Sequence, residues 1–281
     1  MALPLPWPFE REYMQLALVG GLVVGACAPL VGGFLVQRRM SLLGDGIGHV
    51  AFAGVAAGLL LGVWPVWTAL VAAVLAALGI EWLRSRGRTS GDLALAVFFY
   101  GGIAGGAVIA SRAAAVGRPA NVLPFLFGSI LTVTTGDTIA VAIIGFVIVA
   151  TITVCGRALL AVVVDEETAR VAGLPVDALN AALAVLTAVT VVAAMRVVGL
   201  LLVAALLVLP IATARLLARS FRSTMLVAVG VGVLAVIVGL GAARAWGLAP
   251  GGTIVLVTIA AFAVTSVARP AHAAPASPHD H

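Results

Sequence analysis

The stretch Arg38-Arg39-Met40-Ser41-Leu42-Leu43-Gly44-Asp45-Gly46-Ile47-Gly48-His49-Val50 runs an arginine pair into an apolar segment that carries a carboxylate and an imidazole four residues apart. On a helix, positions i and i+4 lie on one face, so Asp45 and His49 can offer an oxygen and a nitrogen to a single point. The run from Leu42 to Gly62 is long enough to cross a bilayer, which takes about 20 residues. Ionisable groups inside such a run are costly and mark function. The rest of the chain reads as a scaffold that brings something to this pair.

Composition agrees. Of the 281 residues, 63% are hydrophobic and 10% charged, and the mean hydropathy is +1.21. Soluble domains carry about 25% charged residues, so the chain is expected to be a polytopic membrane protein, an all-α transmembrane bundle. Every basic side chain besides histidine is arginine, and no lysine occurs. The arginines fall in short loops between apolar spans, which points to the positive-inside rule and not to nucleic acid. Cys27 and Cys155 both fall within spans and read as small apolar residues. Met1 to Gln15, with Glu10 and Glu12 among prolines and aromatics, does not read as a cleavable signal peptide.

Taken in order, spans are predicted over Met14–Val36 (with Pro29 inside), Leu42–Gly62, Val66–Leu83, and from a Thr89-Ser90-Gly91-Asp92 cap to about Ala110. Trp64-Pro65-Val66-Trp67 makes an interfacial turn. Val122 to Val133 is too short to span and suits a surface or re-entrant half-helix. Asp137 is expected to cap a fifth span to about Cys155, followed by Asn180–Arg196, Gly199–Leu217, Ser223–Ala243 and Thr253–Ala268. A single broken helix over 176–217 would reduce nine spans to eight. Residues 1–268 are expected to form a single transmembrane domain, and the Pro/Ala-rich tail 269–281 is expected to be disordered and cytosolic. If Arg38 faces the cytosol, eleven arginines lie inside (38, 39, 84, 86, 88, 157, 170, 215, 219, 222, 269) and five outside (11, 112, 118, 196, 244). That asymmetry favours an external N-terminus and a cytosolic C-terminus.

The loop Asp165 to Pro175 has both ends of a short helix written into it. Asp165 can cap it, Glu166 and Glu167 suit the positive end of its dipole, and Gly173 and Pro175 stop it. It is either a solvated connector or a docking helix for a cytosolic partner. Transport against a gradient needs energy, and the usual phosphate-binding loop ends in a lysine this chain lacks. An ATPase would therefore be a separate chain, and the protein itself is not expected to be an enzyme.

Steps of four beyond the pair give Ala53, Ala57 and Leu61, while Gly54, Gly58 and Gly62 make a second stripe. One face would line a route and the other pack closely against neighbours. A carboxylate with an imidazole suits Zn²⁺ or Mn²⁺ better than Mg²⁺ or Ca²⁺. Two ligands per chain make a poor trap, but a two-fold dimer would bring two pairs together. Gly46 and Gly48 beside the ligands should loosen that turn. His272, His279, His281 and Asp280 in the tail could bind metal loosely or simply be a free polar tail. An intramembrane metalloprotease needs a tighter cluster, and a proton-driven carrier leaves the Asp165 loop unexplained.

The Arg-Arg-x-Ser-Leu-x-Gly-Asp-x-x-x-His core of Arg38 to His49 resembles the signature of the permease subunits of ABC importers for zinc, manganese and iron, the ABC-3 type. The likeness continues in Leu126 to Leu131, in the Asp165-to-Gly173 loop, in Val198 to Arg215 and in Leu248 to Thr253. It implies a plasma-membrane homodimer with two cytosolic ATPase subunits and an extracytoplasmic metal-binding protein that delivers the ion. It puts the metal contacts on Asp45 and His49 and the ATPase-coupling helix on Asp165, Glu166, Glu167, Ala169, Arg170 and Gly173. Zn²⁺ or Mn²⁺ would then be transported substrate, with no permanently bound cofactor. The nearest rival is a permease for a metal chelate such as a siderophore or corrinoid, which would not need Asp45 and His49.

Overall fold

The computed structural model describes residues 6–86, 91–118, 122–128, 133–196 and 198–268. The Thr89-Ser90 cap, Ser129 to Leu131 and the histidine-bearing tail 269–281 lie outside them. Helices follow one another as α1 (Glu12–Gln37), α2 (Leu43–Leu61), α3 (Pro65–Ser85), α4 (Gly91–Ala115), α5 (Leu123–Phe127), α6 (Thr135–Val164), α7 (Glu166–Val171), α8 (Val176–Met195), α9 (Leu200–Leu217), α10 (Phe221–Trp246) and α11 (Pro250–Ala268). Among the described residues eight of these, α1–α4, α6, α8, α10 and α11, are long and apolar enough to cross a membrane.

α9 is apolar too but shorter than these eight. Its 18 residues reach about 27 Å at 1.5 Å per residue. It starts beside Phe127 and Gly128, which crowd Gly199, and it ends at Arg215, which shares a cavity with Gln37 at the foot of α1. The region 176–217 is thus two helices joined by a short turn around Gly199, whose φ of +92° lies in the region that glycine tolerates best. α5 is the expected half-helix, packed chiefly against α9 at the end opposite Arg38.

Several helix ends differ from the sequence expectation. α4 runs on to Ala115 and α6 to Val164, because nothing in Ser111-Arg112 or Gly156-Arg157 breaks a helix. Thr134, not Asp137, caps α6. Its hydroxyl accepts from the Asp137 N–H, and the Asp137 carboxylate accepts from the Thr134 N–H at 3.0 Å, a reciprocal capping box. The same device, Ser220 with Ser223, starts α10 two residues before the expected Ser223.

Helices in lipid gain little from hydrophobic association, so close packing must come from small residues. α1 sits at the centre, against α6, α8, α9 and α10. Its Gly25 faces Gly232 of α10 so closely that either glycine's Cβ would run into the other's carbonyl, and Gly32 lies against the backbone of Leu207. Phe34, Leu35, Ile47, Leu206, Leu207 and Ile211 fill the interior. Buried hydroxyls of Thr187, Thr190, Thr213 and Thr258 each donate to the carbonyl one turn back, leaving no unmet donor among them.

Candidate functional site

Asp45 stands in the first turn of α2 and His49 one turn later. Both are half-exposed, as are Ala53 and Ala57, while Leu61 is exposed. The face that carries the pair is therefore open in the single chain, whereas the opposite side of the helix, with Leu43, Ile47, Ala51 and Val55, is fully packed. Asp45 lines a cavity of about 350 Å³ between α2 and α4, together with Leu42, Asp92, Phe99 and Tyr100. The ring of His49 meets Phe99 edge-on, with centroids 4.4 Å apart. That contact restrains the imidazole without using either ring nitrogen.

The α2–α4 pairing is what places these groups. A Cβ at Gly102 would fall 2.5 Å from the backbone of His49 and Val50, and one at Gly106 would collide with the ring of Phe52. Gly54 and Gly58 do the same work toward α3, against Ala69, Thr68 and Pro65. The third member of that stripe, Gly62, does not. It ends α2 with φ +71°, and the Arg118 guanidinium donates to the Leu60 carbonyl there. Gly46 and Gly48 have room: added Cβ atoms would come no nearer than 3.4 Å to Leu95 and 3.8 Å to Leu200.

Among the described residues no three of His, Cys, Asp and Glu are grouped to hold a metal ion. Asp92, read from the sequence only as part of a helix cap, lies in the first turn of α4 and shares the cavity of Asp45. The glycine pairs Gly101-Gly102 and Gly105-Gly106 were the signal that α4 would be its close neighbour.

The Asp165 loop forms the predicted helix. The Asp165 carboxylate accepts from the Thr168 hydroxyl at 2.6 Å and from its N–H at 3.0 Å, and these bonds hold its pKa below the usual carboxylate value. Arg170 donates to Asp177 at 3.0 Å and pairs with Glu166 at 3.5 Å, which raises its pKa. Gly173, at φ +80°, ends the element. Ala169 turns inward onto Val162 and Val176. Glu167 is exposed, and Val171 is 91% exposed, an apolar tip that sequence reasoning passed over.

Glu166 has a second role, one with no local signal in the sequence. It joins a charge cluster with Arg38, Glu81 and Arg84. Glu81 accepts from Arg38 at 3.3 Å and from Arg84 at 2.7 Å, and Arg84 also donates to Glu166 at 3.3 Å. The Arg38 and Glu81 side chains are 8% and 10% exposed. This cluster fastens α7 to the foot of α3 and to the five-residue turn that leads from α1 into α2.

The sequence matches the ABC 3 transport family over residues 10–269. It is 32% identical to the manganese import system permease protein ScaB of Streptococcus parasanguinis over 93% of this chain and 92% of that one. The fold superposes on PsaBC from Streptococcus pneumoniae, solved in complex with Fab, with a TM-score of 0.80 and 32% identity over 91% of each chain. An inward-facing putative metal-chelate type ABC transporter shares the fold alone, with a TM-score of 0.67 at 15% identity over 96% of this chain and 92% of that one.

Proposed function

The chain belongs to the ABC 3 transport family, and from that premise we propose that it carries zinc or manganese ions inward through the bacterial plasma membrane, using Asp45 and His49 as a transient ligand station. It is a multi-pass membrane permease of a metal-ion ABC importer. ATP is hydrolysed by two separate cytosolic subunits docked on α7, where Asp165, Glu166 and Arg170 hold the helix and Glu167 and Val171 face outward. An extracytoplasmic binding protein delivers the ion at the opposite end.

The observation that carries this reading is the placement of one oxygen and one nitrogen donor, a turn apart, on the open face of a helix whose opposite side is fully packed. Zn²⁺ in a closed site takes four such donors. Two chains related by a two-fold axis supply four, and each chain alone supplies too few to retain the ion. A homodimer with a releasable site follows from the same count.

Uptake of isotopic zinc and manganese by the permease, reconstituted with its ATPase, tests this. Asp45→Ala and His49→Ala should each abolish uptake of the ion while the complex still assembles. Undiminished uptake would refute the ligand assignment. Retained uptake of a siderophore or corrinoid complex by the double variant would favour the chelate reading.

A further inference from the structure

α6 and α10 both pack against α1 but leave a groove of about 660 Å³ between them, floored by Leu30 and Phe34. Its walls are apolar and open outward. Val154 of α6 is 82% exposed and Leu226 of α10 is 76% exposed, positions that face lipid in a bundle of this kind. Two arginines, Arg157 and Arg222, also line it. A neighbouring cavity of about 340 Å³ shares Leu160, Phe221 and Met225 with the groove and adds Arg215 and Arg219. Four guanidinium groups thus surround two adjoining cavities, and among the described residues no carboxylate lines either one.

The depth of these groups is set by helix length. α6 has 30 residues, about 45 Å at 1.5 Å per residue, against a hydrocarbon core of about 30 Å. Asp137, in its first turn, belongs at one boundary of that core, and Arg157 follows it at about 30 Å along the helix, so Arg157 stands at the other. Arg222, in the first turn of α10, lines the same groove and so lies at the same level.

We propose that this groove binds an anionic phospholipid, its phosphate held between Arg157 and Arg222 and an acyl chain lying between α6 and α10. An acyl chain gains nothing by leaving other lipids for an apolar wall. Selectivity must then come from the guanidinium groups, which engage phosphate oxygens in a forked geometry. Arg215 and Arg219 supply a second cationic rim for a headgroup with two phosphates. The open apolar walls require a ligand with a tail, so a lipid is the occupant and a free phosphate ion is not. Basic pockets between membrane helices on the cytoplasmic side bind such headgroups.

The full-length permease, purified in a neutral detergent, is titrated with phosphatidylglycerol, cardiolipin and phosphatidylcholine, and bound lipid is counted by native mass spectrometry. The wild type should prefer both anionic lipids to phosphatidylcholine. Each arginine near an anionic surface contributes about a five-fold gain in binding, so Arg157→Gln with Arg222→Gln should lower anionic-lipid affinity about 25-fold. Gly156→Leu provides an arm without charge change. A Cβ there meets only Ile152, at 3.7 Å, so the variant folds, and its larger side chain should block the groove and weaken binding of both anionic lipids. Equal binding of phosphatidylcholine by the wild type would overturn the proposal. So would displacement of the lipid by millimolar inorganic phosphate, or unchanged binding in Gly156→Leu. Loss of ATPase co-purification in the double arginine variant with lipid preference intact would make the patch a protein-docking surface and overturn it as well.

Discussion

Glu81→Gln removes the more buried of the two carboxylates that Arg38 and Arg84 share, leaving Glu166. The glutamine keeps the shape and one acceptor oxygen but leaves two guanidinium groups facing each other. Their fates differ. Arg84 is 23% exposed and can swing its head outward along its aliphatic stem. Arg38 is 8% exposed and is left with Glu166 at 3.8 Å as its remaining carboxylate. Stranding one partner of a buried pair costs about 3–5 kcal/mol. Because only Arg38 is trapped, the lower end applies, about 3 kcal/mol. Denaturant titration of the purified permease in mixed micelles, followed by circular dichroism, measures it. Adding Arg38→Gln to Glu81→Gln should recover part of the loss, with a coupling energy on the order of 1–3 kcal/mol. A Glu81→Gln variant within about 0.5 kcal/mol of wild type, the scale of an ordinary surface change, would refute the view that these groups form a buried, mutually dependent cluster.

Gly102→Ala should push α4 away from the His49 backbone, since the new Cβ would sit at 2.5 Å. Lost ion uptake and a destabilisation of about 1–3 kcal/mol, the cost of overpacking, are expected, both measured on the reconstituted protein. Gly46→Ala with Gly48→Ala fits the space and should stabilise the helix by up to about 1 kcal/mol per site, while slowing transport more than it weakens metal binding; an unchanged transport rate would remove the role of a loose first turn. Asp165 has a depressed folded-state pKa, so its contribution to α7 is complete above the ordinary value near 3.8 and is lost as pH falls through the lower, folded value. Amide protection across 166–172, corrected for intrinsic rates, should therefore hold at pH 5 and drop only at stronger acidity, and Asp165→Asn, which caps equally well, should remove that dependence.

The bundle was legible because its signals are local. Apolar runs, arginine-bearing loops and the Asp165 and Gly173 ends of α7 need no partner to be recognised. Helix ends written only by the absence of a breaker, at Ala115 and Val164, were not. Glu81 shows the other limit. In sequence it is one acid near the end of a span, and its meaning depends on Arg38, 43 residues away, and on Glu166 beyond α6. Asp92 is similar: a cap candidate by neighbourhood, a companion of Asp45 only once Gly102 and Gly106 bring α4 against α2. Spacing within one helix could be read directly, whereas spacing between helices depended on glycines whose partners the sequence does not name.

The placement of α7 and the first turn of α2 bears on how the two elements proposed to be functional would act together. α7 and the first turn of α2 lie at the same end of the bundle, and the Arg38–Glu81–Arg84–Glu166 cluster stands between them. Arg38 is the residue at which α1 ends and the turn into α2 begins. Arg39, next to it, holds φ +59°, so this turn has a fixed, sparsely populated backbone form that will not absorb movement as a slack loop would. On its far side, the first turns of α2 rest on α9, with Gly44 against Leu207 and Gly48 near Leu200. A shift of α7 therefore has a stiff path to Asp45 and His49 through one ion cluster and one strained turn. The proposed station of two donors per chain would suit such a path, because a small rotation of α2 in each of two chains would open a four-donor shell, whereas a cage built within one chain would have to be dismantled.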